Sequence, residues 1–244
     1  MKPPTVSNFL NLIGAPATVI DQITEVNVNG GTTPGPNQDE VLVDIDAVAA
    51  LAPGALIRVY EAPFNGRGSF QALFNQMLDD KVTVISNSWA YCEDQTTLAD
   101  VQGIDTIFQN AAAANISVFN GSGDTGSTCL DGSSNTVSLP ADSPNATAVG
   151  GSSLKLGPGF TYGSETWWNG SDATPQTGQG GFGTSKFFAA PTYQTGLATM
   201  RSIPDVVVNA DPEQGVEICQ ASNGGCPSSL LYGGTSWRRR PGLR

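Results

Sequence analysis

Three acids and one hydroxyl stand where they could carry out acyl transfer. Glu40 and Asp44 lie four apart in "DEVLVDID", and on a helix both carboxyls would leave the same face about one turn apart. Two readings are open for them. One is an acidic first turn that complements the helix dipole. The other is a pair crowded among apolar neighbours, sharing a proton so that one carboxyl has a raised pKa. Asp124 lies in "NGSGDTGS". Gly and Asp are ordinary turn residues, but a protonated Asp at the C-terminal edge of a parallel sheet could donate a hydrogen bond to a developing oxyanion. Ser236 follows Gly-Gly-Thr in "YGGTS". It reads as a capping serine or as a hydroxyl exposed at a close-packed turn, and it is not the GxSxG elbow of the α/β-hydrolases.

The chain has no histidine in its 244 residues. That removes Ser-His-Asp and Cys-His hydrolysis and most catalytic zinc sites, and it leaves acid-base work to carboxylates, Lys, Tyr or Cys. With 22 acidic residues against 11 basic ones, a nucleic-acid partner is disfavoured electrostatically. Such a chain loses self-repulsion as its carboxylates protonate, which suits acid better than neutral solution. No stretch approaches the roughly 18 apolar residues of a membrane span. The opening "MKPPTVSNFLNLIGAP" does not read as a signal peptide with a cleavage site.

Apolar runs alternate with helical patterns, so the elements that must position these groups predict one α/β domain. Helices are expected over 39–51, 69–80 and about 96–114, and strands over 56–63, 81–90 and 116–124. Strands separated by helices predict parallel pairing, because parallel neighbours need crossover connections. From about residue 136 the pattern changes to shorter strands and Gly-rich loops, including "ATAVGGSSL", "GQGGFG" and "IPDVVVNADP". Four cysteines permit three full pairings. Cys219 and Cys226 bracket the Gly-rich "QASNGG", and Cys92 and Cys129 each follow an expected strand. The pairing 92–129 with 219–226 is favoured, with four free thiols as the alternative. Disulfides would place the chain in an oxidising compartment. Trp167–Trp168, read as an exposed pair, and the Asn-rich loops admit a carbohydrate-binding reading as well.

Taken in order, these segments resemble the sedolisins, the serine-carboxyl peptidases. "EVLVDIDAVAALAPGALIRVYEAP" is similar to the family's E-x-x-x-D-I-E segment followed by A-P-x-A, "VISNSW" to its V-I-S-x-S-W strand, and "SGDTG" to its oxyanion motif. "LPADSPNATAVGGSSL", "GGFGTSKFFAAPTYQ" and "IPDVVVNADPEQG" follow as further blocks, and "GGTS" closes the series. The resemblance runs from about residue 5 to Ser236.

It implies a subtilisin-like fold with a mainly parallel central sheet flanked by helices. It also implies a secreted, monomeric peptidase that cleaves proteins or peptides in acid, with no nucleic-acid or membrane partner. By this carry-over Ser236 is the nucleophile and Glu40 the general base, Asp44 holds Glu40, Asp124 stabilises the oxyanion, and Trp89 lines the substrate cleft. Trp89 could equally pack in the core. A carboxylate base works where imidazole would stay protonated, so activity is expected at roughly pH 3–5. The competing class is an inactive remnant or a peptide-binding pseudoenzyme. No cofactor or metal is expected in this chain, because the family's calcium-binding loop comes after the serine.

Residues 5–236 are therefore expected to be a partial peptidase domain. Four of the basic residues crowd into "RRRPGLR" at the end. Read one base earlier, with a G ending the serine codon, the codons for "WRRRPGLR" allow V-A-A-P-A-W-A, which is how the family continues past its serine. Residues 237–244 are accordingly expected to be an out-of-frame tail.

Overall fold

The computed structural model describes residues 4–35, 38–64, 68–129, 131–170, 178–220, 225–228, 231–235 and 238–239. Four helices are described: α1 (Pro4–Leu12), α2 (Gln38–Leu51), α3 (Ser69–Asp79) and α4 (Leu98–Ala113). Each of the last three falls within a residue or two of its expected span. α2 starts with Asp39 and Glu40 in its first turn, the end of a helix that favours negative charge. α4 is capped by Thr97, whose hydroxyl accepts from the backbone N–H of Asp100 at 3.3 Å.

The strands in chain order are β1 (Ile23–Asn27), β2 (Ile57–Glu61), β3 (Val84–Asn87), β4 (Tyr91–Cys92), β5 (Ser117–Gly121), β6 (Ser138–Leu139), β7 (Thr147–Leu156), β8 (Tyr162–Trp167), β9 (Gly183–Ala189), β10 (Met200–Ile203), β11 (Val206–Asn209), β12 (Val216–Glu217), β13 (Leu231–Gly233) and β14 (Arg238–Arg239). The main sheet runs β11-β7-β5-β3 with all three of these pairings parallel, and β8 adds an antiparallel edge to the far end of β7. β1 and β2 form a separate parallel pair, and β9 and β10 a separate antiparallel one.

The crossover rule thus holds where helices separate the strands, and the fold is α/β as expected. Sequence reading missed β1, β8, β9 and β10, together with the short strands β4, β6, β12, β13 and β14. Every residue of β8 is exposed, so it carries no two-residue alternation, and β9 breaks its alternation with the adjacent Phe187 and Phe188. The tail carries the two-residue strand β14, which pairs antiparallel with β13.

One apolar cluster joins α3 and α4 to the sheet, with Phe70, Phe74, Ile85, Ile104, Phe108 and Val118 at its centre. A second packs α1 and α2 around β1 and takes in Ile218 and Tyr232. The opposite face of the main sheet leaves Val84, Phe119, Val206 and Val208 exposed. Among the described residues no helix is long and apolar enough to cross a membrane.

Both favoured disulfides are formed, Cys92 with Cys129 and Cys219 with Cys226. The first ties β4 to the loop that follows Asp124, which anchors the chain on both sides of α4.

Candidate active site

The main sheet delivers its chemistry at the C-terminal ends of β3 and β5. β3 runs out at Asn87, and the next residue, Ser88, donates its hydroxyl to Asp44 Oδ1 at 2.9 Å. This contact links the sheet to α2, where Glu40 stands one turn before Asp44 on the same face. Asn87 Nδ2 donates to the Trp89 carbonyl at 2.7 Å and to Asn120 Oδ1 at 3.0 Å, so a side-chain amide clamps the exit of β3 to the end of β5. Trp89 itself is 44% exposed. It is not core packing, and its ring is open to solvent beside Ser88.

Asp124 follows β5 and is buried. The backbone N–H of Thr235 donates to Asp124 Oδ1 at 2.7 Å, and the Thr235 hydroxyl donates to the same oxygen at 2.9 Å. Thr235 also accepts from the Gly123 N–H at 3.0 Å. The oxyanion-motif acid is therefore pinned to the residue immediately before Ser236. Ser236 lies outside the described residues, so the placement of its hydroxyl is not part of this geometry.

Glycines make the close approaches possible. A side chain on Gly121 would meet the Thr235 carbonyl at 3.0 Å, and one on Gly181 would meet the Ser122 carbonyl at 2.0 Å. The Gly-rich "GQGGFG" segment lies against the Asp124 loop. Gly181 N–H donates to the Gly123 carbonyl at 2.7 Å, and Ser122 donates its hydroxyl to the Gly181 carbonyl at 2.7 Å.

The carboxyls on α2 are strongly perturbed. Burial pushes Asp44 up to about 7, with the Ser88 hydrogen bond pulling the other way. Asp46, two residues on, is pushed up to about 8 by burial. It is 1% exposed, and among the described residues neither of its oxygens has a hydrogen-bond partner. Asp44 and Asp46 thus keep their protons through the acid range. Sequence reading missed Asp46, Ser88 and Thr235. The apolar stripe Leu42, Asp46, Ala49 at helical spacing was the available signal that Asp46 points inward.

The exposed Trp pair is corrected by the structure. Trp167 is 45% exposed and stacks edge-on against Phe182 with ring centroids 5.3 Å apart, but Trp168 is 1% exposed beneath the site. Its ring fills the space left by Gly151 and Gly178. Two adjacent indoles on an extended strand point to opposite faces, so they make no joint sugar platform. Among the described residues no group of three or more His, Cys, Asp or Glu side chains could hold a metal ion.

The C-terminal ends of β3 and β5 thus bring together an acid of α2, through Ser88, and Asp124, through Thr235, within an α/β fold. The structure superposes on Pseudomonas sedolisin, a serine-carboxyl proteinase complexed with two molecules of pseudo-iodotyrostatin, with a TM-score of 0.74 and 27% identity over 95% of this chain and 67% of that one. Among curated relatives, kumamolisin of Bacillus sp. (strain MN-32) is 36% identical over 217 residues, 81% of this chain and 38% of the relative. Sedolisin of Pseudomonas sp. (strain 101) is 33% identical over 189 residues, 71% of this chain and 32% of the relative. No family model matches. The chain belongs to the sedolisin family of serine-carboxyl peptidases and has its subtilisin-like fold. It spans about a third of the length of these curated relatives.

Proposed function

We propose that this chain carries the catalytic groups of an acid-acting serine-type endopeptidase that hydrolyses peptide bonds in proteins. The observation that supports the reading is the pair of hydrogen bonds to Asp124 from Thr235, the residue that precedes Ser236 in the sequence. The hydroxyl of Ser236 adds to the substrate carbonyl while Glu40 takes its proton. Asp44, protonated below about 7, faces Glu40 along α2 and holds it in place. Protonated Asp124 donates to the oxyanion as the tetrahedral centre forms. Glu40 then returns its proton to the leaving amine, and water releases the acyl group by the same steps in reverse order. Trp89, open beside Ser88, lines the cleft that takes the extended substrate.

The scheme uses no cofactor. Asp124 must hold a proton while Glu40 must be free to take one, which supports action at roughly pH 3–5. The two disulfides support an extracellular setting, and the net charge of −11 opposes a nucleic-acid partner. We take the enzyme to act as a monomer away from membranes.

Digestion of casein at about pH 4 tests the reading. Cleavage is expected from the chain and none from Ser236→Ala. Equal digestion by both would remove Ser236 from the chemistry. Peptide binding without cleavage in either would leave the pseudoenzyme reading standing.

A further inference from the structure

Asp124 can donate to an oxyanion from one oxygen only, so something must decide which oxygen carries the proton. Both described donors, the backbone N–H and the hydroxyl of Thr235, converge on Oδ1 at 2.7 and 2.9 Å. The hydroxyl cannot turn the other way. It already accepts from the Gly123 N–H at 3.0 Å, so its own hydrogen is directed at Asp124. Thr235 is buried, with its carbonyl against Gly121 and its methyl against the open side of Gly151.

An oxygen that accepts two hydrogen bonds is the carbonyl oxygen of a carboxylic acid, not its hydroxyl. We propose that Thr235 is a positioning residue which fixes Asp124 with Oδ1 as the carbonyl oxygen and Oδ2 as the proton-bearing one. This rests on the peptidase reading above for its use, but not for its geometry. The same clamp holds the Thr235 backbone N–H 2.7 Å from Asp124 Oδ1.

The test separates the clamp from the activity. The infrared carbonyl band of protonated Asp124 is obtained as the difference between the chain and its Asp124→Asn variant as the pH is lowered, and its failure to appear while the chain stays folded overturns the proposal. Thr235→Val keeps the shape but removes the hydroxyl. It is expected to shift that band to higher frequency, because a hydrogen bond to the carbonyl oxygen is lost, and to lower kcat by about 100-fold with little change in KM. Thr235→Ser is expected to return the band to its original position and to recover most of the lost rate. An unmoved band in Thr235→Val overturns the proposal whether or not the chain is active. So does an equal loss of kcat in the valine and serine variants. If the parent chain cleaves nothing while the band still moves, the peptidase reading fails and the clamp stands. Should the valine variant not fold, Thr235→Ala, which leaves space instead of filling it, carries the same spectroscopic comparison.

Discussion

Two helices of this protein bury acids, and they treat them in opposite ways. On α4, Asp100 accepts from Gln71 Nε2, Thr96 Oγ1 and the Tyr91 hydroxyl, and Asp105 accepts from Ser143 Oγ, Asn145 Nδ2 and Gln109 Nε2. On α2, Asp44 has a single described donor in Ser88, and Asp46 has none. Three donors leave neither oxygen of these buried side chains without a partner. With one donor or none, the cheaper course is to keep the proton, and burial raises Asp44 and Asp46 accordingly. The α4 acids therefore cross-link the fold, stitching the helix to β4 and to the loop after β6. The α2 acids are poised to titrate, beside the face that offers Glu40.

One effect expected from this contrast is on stability at the structural end. Asp105→Ala leaves the donors of Ser143, Asn145 and Gln109 facing one another without an acceptor. Chemical denaturation at pH 7 is expected to lose roughly 3 kcal/mol, on the scale of a broken buried network. A loss below about 1 kcal/mol, the worth of a single ordinary hydrogen bond, would mean the α4 acids are no more structural than those of α2.

A second expectation concerns pH. Asp44, Asp46 and Asp142 all have folded-state pKa values raised above the ordinary 3.8, Asp142 by burial first and then by the neighbouring Glu93 carboxylate. Between about 4 and 8 the folded chain therefore holds more protons than the unfolded one, and stability falls as pH rises. The contribution is fully present below about 4 and is lost through about 7 for Asp44 and about 8 for Asp46. The slope approaches about 1.4 kcal/mol per pH unit for each group that stays protonated only when folded. Thermal unfolding should show a lower Tm at pH 8 than at pH 4. Asp46→Asn, which cannot ionise, should narrow the gap between the two. A Tm that climbs over this range would show that the α2 acids are solvated after all.

The same contrast explains what could be read from the sequence. The three helices and the parallel strands between them were legible because their apolar residues keep a 3.6 or 2 period between turn signals, and Cys219–Cys226 because a Gly-rich turn brackets so short a loop. Glu40, Asp44, Asp124 and Ser236 could be singled out from the sequence as candidates by residue type and spacing. Their surroundings could not. Whether an acid has donors depends on residues such as Ser88, 44 positions from Asp44, and Thr235, 111 positions from Asp124. The identity of a side chain does not reveal such distant partners. Trp167 and Trp168 make the point at a single step, since two identical neighbours have opposite burial. Only the strand's facing decides which is which.

The smallest expected effect is the most direct probe of that dependence. Ser88→Ala removes the one described donor to Asp44 and so moves it toward the condition of Asp46. The hydrogen bond favours the ionised carboxyl, so its loss should carry the Asp44 titration above about 7, followed by carboxyl-carbon NMR. In acid, where Asp44 is protonated in either variant, the missing bond is one between neutral groups and costs about 1 kcal/mol or less. At pH 8 the wild-type carboxyl is ionised and the bond is charge-assisted, so the cost should be larger, roughly twice as much. Stability loss that grows from pH 4 to pH 8 follows from donor count setting the proton. An equal loss at both values would reduce Ser88 to a packing contact and leave burial alone to account for Asp44.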